Sequence, residues 1–242
     1  MTEKIALFLK EADGLAIFGK IALLFSIIFY ALMTPSAFAG PLASVDAVAL
    51  PTNGQVVAGT ANISTDNSNA SAPVMNVNQA SQRAVVNWDK FDVGSSATVN
   101  FNQPNAQAST LNRVSDPNPS KVFGKINAPG EVVLVNQAGV YFAPSANLDV
   151  GAVVATSHSI SDADYMAGKA QYDRNGATGK VVNEGNIKTA LSGYVALLAP
   201  EVRNSGVVVA QMGTVVMAAG ERITLNFASN RKLASITTTP ST

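Results

Sequence analysis

Two stretches in the last third of the chain copy each other, and a short internal period restricts a fold more than any bulk property does. Val182-Asn183-Glu184-Gly185-Asn186-Ile187 returns as Arg203-Asn204-Ser205-Gly206-Val207-Val208, which sets Asn183 and Asn204, and Gly185 and Gly206, 21 residues apart. Gly193 and Gly213, and Ala199 and Ala219, stand 20 apart. A period near twenty built from short apolar runs and Asn/Gly corners specifies a solenoid, in which each coil buries its apolar residues on its neighbours. A leucine-rich repeat has a similar period but needs an L-x-x-L-x-L frame, which is absent. A parallel β-helix is the better reading. Asn suits its corners because it tolerates the left-handed conformation and bonds its own backbone. Coils stack about 4.8 Å apart, so a fully coiled chain from residue 40 would make a rod of roughly ten rungs and about 50 Å. The earlier region lacks the clean period, which predicts fewer rungs and a capping sheet over the open strand edge.

The strand reading extends upstream. Gln55-Val56-Val57, Val132 to Val135, Val153 to Ala155, Val195 to Leu198, Val207 to Val209 and Thr214 to Met217 are apolar runs of strand length separated by Asn, Gly, Ser and Pro. One exception is Ser161 to Gly168, where Ser161 can cap, Asp164 sits three residues on, and Gly168 can stop a short helix. Composition narrows the chemistry. Charged residues make up 13%, with 16 Lys+Arg against 16 Asp+Glu, which argues against nucleic acid as a partner because a basic face is needed to neutralise phosphates. The chain has no Cys and one His, so it holds neither a disulfide framework nor a thiolate or poly-histidine metal centre. No cofactor is expected.

Residues 1–39 read as a signal peptide. Lys20 abuts the apolar run Ile21 to Met33, 13 residues long, where about 20 are needed to span a bilayer. Pro35 and the A-x-A site Ala37-Phe38-Ala39 follow, which makes Gly40 the expected new N-terminus. Gly14 to Lys20 matches seven positions of a phosphate loop, but Ile21 stands where Ser or Thr would ligate magnesium. Nucleotide binding is therefore not expected.

Four motifs follow one another downstream: Val86-Asn87-Trp88-Asp89-Lys90-Phe91-Asp92-Val93-Gly94; Leu111-Asn112-Arg113-Val114; Gly130 to Phe142 with Asn136-Gln137-Ala138-Gly139-Val140 at its turn; and Leu148 to Ser157. In this order they resemble the secretion domain of two-partner secretion exoproteins, of the filamentous haemagglutinin and high-molecular-weight adhesin type, also called the haemagglutination activity domain. The resemblance covers about residues 55–227. It implies an all-β fold, a right-handed parallel β-helix with an N-terminal β cap, spanning residues 40–235 ahead of a Thr-rich tail at 236–242. It also implies export by the general secretory translocon and recognition by an outer-membrane transporter with periplasmic domains and a β-barrel. The protein would then be secreted or displayed at the cell surface after passing through the periplasm. Family members typically read Asn-Pro-Asn-Gly-Ile/Val at the turn. Here Asn136 and Gly139 are kept while the Pro and second Asn are replaced. The family's exoproteins usually continue far beyond this domain, so the chain is either a truncated product or a secretion domain without its passenger.

Site expectations follow. Asn136, Gln137, Gly139 and Val140, with Asn112 and Arg113, are the candidate partner-recognition residues, although Asn112 and Arg113 also suit structural bonds to corner carbonyls. Asn87, Trp88 and Phe91 are read as the structural cap, because a large aromatic brings the greatest apolar burial. His158 lacks a nucleophile elbow or a spare base and is not expected to be catalytic. Two function classes remain. One is a secretion-recognition and adhesin or haemagglutinin module, with a host-cell or bacterial surface ligand and no catalysis. The other is a β-helical polysaccharide-acting enzyme, which would need a close carboxylate pair or clustered acids. The acids are scattered, with single charges at Glu184, Glu201 and Glu221, which favours the first.

Overall fold

The computed structural model describes residues 45–228 and 232–240. The stretch read as a signal peptide, with its phosphate-loop decoy, lies outside the described residues. In chain order the strands before the helix are β1 (Gln55–Ala58), β2 (Ala61–Asp66), β3 (Val74–Gln79), β4 (Arg83–Trp88), β5 (Thr98–Asn102), β6 (Ser109–Val114), β7 (Ser120–Val122), β8 (Lys125–Asn136), β9 (Gly139–Phe142) and β10 (Asn147–Thr156). After the helix α1 (Asp162–Met166) come β11 (Gln171–Asp173), β12 (Lys180–Asn183), β13 (Asn186–Thr189), β14 (Tyr194–Leu198), β15 (Val202–Asn204), β16 (Val207–Val209), β17 (Thr214–Ala218), β18 (Arg222–Phe227) and β19 (Leu233–Thr239).

These strands wind into a parallel β-solenoid of about 7 turns. Three faces run along it. The first is β3, β5, the first half of β8, the first half of β10, β13 and β16. The second is β4, β6, the second halves of β8 and β10, β14 and β17. The third is β7, β9, β12 and β15. Alternation of side chains along each strand sends every second residue inward, and the register stacks like on like. On the first face Met75, Val99, Ile126, Leu148, Ile187 and Val208 form one inward column.

The sequence repeat is the register itself. Asn183 pairs with Asn204 and donates to its side-chain oxygen at 2.7 Å. Gly193 and Gly213 lie above one another so closely that a Cβ on Gly213 would stand 2.0 Å from the Gly193 carbonyl oxygen. The repeated glycines therefore mark where coils touch at a corner.

At the first rungs β1 runs antiparallel to β4 and β2 antiparallel to β3, which supplies the expected cap. A second antiparallel sheet, β11-β18-β19, lies with α1 over the outside of the second face. Ile160, Tyr165, Tyr172, Ile223, Leu225 and Leu233 meet the outward column Val85, Leu111, Val133, Val154, Ala196 and Val216 there. The described residues thus form two cores, one inside the bore and one between the rod and this cover. Val216 belongs to the outer core, while Val208 faces the bore. Ile236 to Thr239, in the stretch read as a tail, extend β19 along β18. Ser161 caps α1 by accepting from the Asp164 amide at 3.1 Å, and Gly168 closes it at φ +82°.

Candidate partner-recognition site

The motifs that carry the family resemblance lie far apart in sequence and stack in three adjacent columns. Val86, Asn112 and Leu134 are in register; so are Asn87, Arg113 and Val135; so are Trp88, Val114 and Asn136. One segment from each of three successive rungs therefore builds one corner of the rod.

The inward columns hold polar groups whose bonds are all made internally. Asn112 is fully buried and accepts from Trp88 Nε1 at 3.0 Å, while its own amide donates to the carbonyls of Thr110 (3.3 Å) and Val133 (3.2 Å). Trp88 in turn meets Phe91 edge to face, centroids 5.6 Å apart, an arrangement favoured by the ring quadrupoles. Asn136, also fully buried, donates to the Asn118 carbonyl and to Ser120 Oγ, each at 3.0 Å, and accepts from the Ala138 amide at 2.9 Å. Gly139 sits at φ +115°, and a Cβ there would meet the Lys180 carbonyl oxygen at 2.5 Å. Val140 is buried in the bore. These four hold the turn and the rungs together, and none presents a free polar atom outward.

The column one residue over faces out. Arg113 donates to Asn87 Oδ1 at 3.2 Å and to the Ile160 carbonyl at 2.8 Å, and pairs with Asp162 at 2.6 Å. It thereby ties the cap strand to the segment entering α1. Arg113 and Gln137, which is exposed at the β8–β9 turn, both border a groove of about 720 Å³. Asn87, Trp88, Asp116 and Thr178 border it as well. Beside it Lys90 bridges Asp92 (3.8 Å) and Asp116 (3.7 Å). Burial pushes the Asp92 carboxyl above its usual range, against the Lys121 amide that bonds it at 2.8 Å.

Of the sequence-predicted residues, the structure brings Arg113, Gln137, Asn87 and Trp88 to one groove, while Asn112, Asn136, Gly139, Val140 and Phe91 lie inside. Asp162, in the first turn of α1, answers Arg113. Sequence reasoning missed the far wall, Gly176 to Thr178, because it follows the outer sheet strand β11 and carries no motif of its own.

Rungs, cap and stacked motifs together define a capped domain of the parallel β-helix class. A match to the TPS secretion domain over residues 47–242 shows that the chain belongs to this family, the secretion domain of two-partner secretion exoproteins. It is 31% identical over 189 residues to a heme/hemopexin-binding protein of Haemophilus influenzae, covering 75% of this chain and 20% of that one. A second protein of that description from the same organism is 33% identical over 114 residues, 47% of this chain and 12% of its own length. The crystal structure of the HMW1 secretion domain from Haemophilus influenzae superposes with a TM-score of 0.70 at 25% identity, over 79% of this chain and 50% of that one. The chain spans about a fifth of the length of the first curated relative. Membership of the family implies an outer-membrane transporter partner and secretion through the outer membrane.

Proposed function

We propose that the groove bordered by Arg113 and Gln137 is what the outer-membrane transporter reads, and that the buried Asn112, Asn136, Gly139 and Val140 serve by fixing its shape. The observation that carries this is the stacking of three motifs, 24 to 26 residues apart along the chain for the Asn87–Arg113 and Trp88–Asn112 bonds, into one corner with a solvent-facing edge. The general secretory translocon would deliver the chain to the periplasm after removal of residues 1–39, and the product would act at the cell surface as an adhesin or haemagglutinin-type module without catalysis. Glu184 accepts from the Tyr141 hydroxyl at 2.5 Å, Glu201 pairs with Lys180 and Arg203, and Glu221 pairs with Arg174. These three carboxylates are engaged apart from one another, and the closely placed Asp92 and Asp116 share Lys90 between them, which supports the binding reading over a polysaccharide-acting enzyme, which needs two carboxylates facing one bond.

Folding and export measured on the same variants test this. Gln137→Lys should unfold at the wild-type temperature and fail to appear outside cells that co-express the cognate transporter. Asn136→Ala should lose about 1 kcal/mol or more of stability, since it empties a turn of three hydrogen bonds, and lose export only in proportion. Normal export of folded Gln137→Lys would overturn the assignment.

A further inference from the structure

The chain has one histidine, and it is where the outer cover is fastened. His158 follows β10, is fully buried, and bonds the Gly220 carbonyl through Nε2 at 2.7 Å, while its Nδ1 is buried with no hydrogen-bond partner. Two ends of the cover meet there. Ser159 and Asp173 exchange backbone hydrogen bonds at 2.8 and 2.9 Å, Arg174 donates to the Glu221 carbonyl at 2.8 Å, and the Glu221 amide donates to the Thr239 carbonyl at 2.8 Å. The charged groups facing the ring are Asp173 and Arg174 at the end of β11 and Glu221 before β18. Arg174 pairs with Glu221 at 2.7 Å and Arg222 with Asp173 at 2.5 Å.

A bond from Nε2 to a carbonyl requires the proton on Nε2, which leaves Nδ1 as a bare acceptor. A second proton would sit on Nδ1, where the buried ring offers it no acceptor, and burying an unpaired charge is costly. We propose that His158 is an acid-operated catch: when its ring takes up this second proton, the clip of residues 158–159, 173–174 and 220–222 opens and the β18–β19 hairpin leaves the outer face of the rod. Of the side chains at the clip, the imidazole is the one whose ordinary titration range lies between about pH 7.5 and 5. Burial lowers the His158 pKa in the folded protein, opposed by the Gly220 bond. The sign follows from this. The unfolded chain binds the proton below about pH 6.5 and the folded one does not. The contribution to stability is therefore complete above that pH and is lost as the pH falls from there through the lowered folded value.

Hydrogen-exchange protection of the full chain at pH 7.5 and pH 5.0, corrected for intrinsic rates, reads the catch. Amides of β18 and β19 should lose protection by about tenfold for each unit of pKa displacement, while amides of β12 and β13 keep theirs. His158→Gln, which keeps a donor for Gly220 but cannot charge, should abolish the difference. Should that variant fail to fold, the ring resonances of the sole imidazole in the wild-type protein serve instead, and they should titrate below pH 6.5 in step with loss of hairpin protection. Equal pH dependence in wild type and His158→Gln, or a ring that titrates at or above pH 6.5 while the hairpin stays protected, would overturn the proposal.

Discussion

Strand β10 crosses a corner of the rod, and its two halves obey different rules. Asn147 to Val150 alternate exposed and buried, whereas Gly151 to Thr156 are buried at every position. β8 divides the same way, alternating through Gly130 and then buried from Val132 to Asn136. The difference lies entirely outside the bore. On the first face the outward column reads Asn76, Asn100, Asn127, Asp149, Lys188, and its amides bond one another from rung to rung, Asn100 to Asn76 at 3.2 Å and Asn127 to Asn100 at 2.9 Å. On the second face the outward column is Val85, Leu111, Val133, Val154, Ala196, Val216, closed off by the β11-β18-β19 sheet. One solenoid thus carries a half-wet sheet and a largely dry one, and the dry stretch depends on segments distant in sequence. A sheet buried on both sides reads as an unbroken apolar run, and one buried on a single side alternates.

Exchanging outward residues within β10 tests this contrast most severely. Val154→Asp should prevent folding, because an unpaired carboxylate enters the outer core at a cost of several kcal/mol; loss of the β-type circular dichroism signal would show it. A cooperative transition at the wild-type denaturant midpoint would mean that the cover does not seal this face. Next in size, Leu225→Ala, 3% exposed on the cover side, should lower stability by about 2–5 kcal/mol in equilibrium urea unfolding. Smallest is Asp149→Val, which places on the open face the residue type that the covered face uses. It gives up a 3.7 Å pair with Lys188 in which both side chains are mostly exposed, so a change within about 0.5 kcal/mol is expected. A loss as large as that of Leu225→Ala would erase the distinction between the faces.

The repeat of Asn and Gly, the run lengths and the capping box made the solenoid, its cap and the short helix legible before any coordinates. What lay hidden was the cover. The unbroken runs Val132 to Val135 and Val195 to Leu198 already signalled burial on both sides, but nothing local told which segment supplies the second side. Tyr165 of α1 reaches Ser109 across 56 residues, a contact between helix and rod that the rung period does not signal. The candidate site divides likewise. The motif residues were readable one by one; that Asn112 and Asn136 spend their amides inward while Arg113 and Gln137 face a groove depends on strand parity, and a one-residue change of register inverts it.

The cover is also the last part of the domain to exist. Each rung can lay its bore residues on the previous one, but the outer column from Val85 to Val216 is not fully covered until β18 and β19 have followed, more than 130 residues after β4. A chain that coils from its N-terminal end therefore closes this greasy flank last. A product cut short before residue 222 would keep that flank permanently, and such a fragment should be sticky rather than merely less stable.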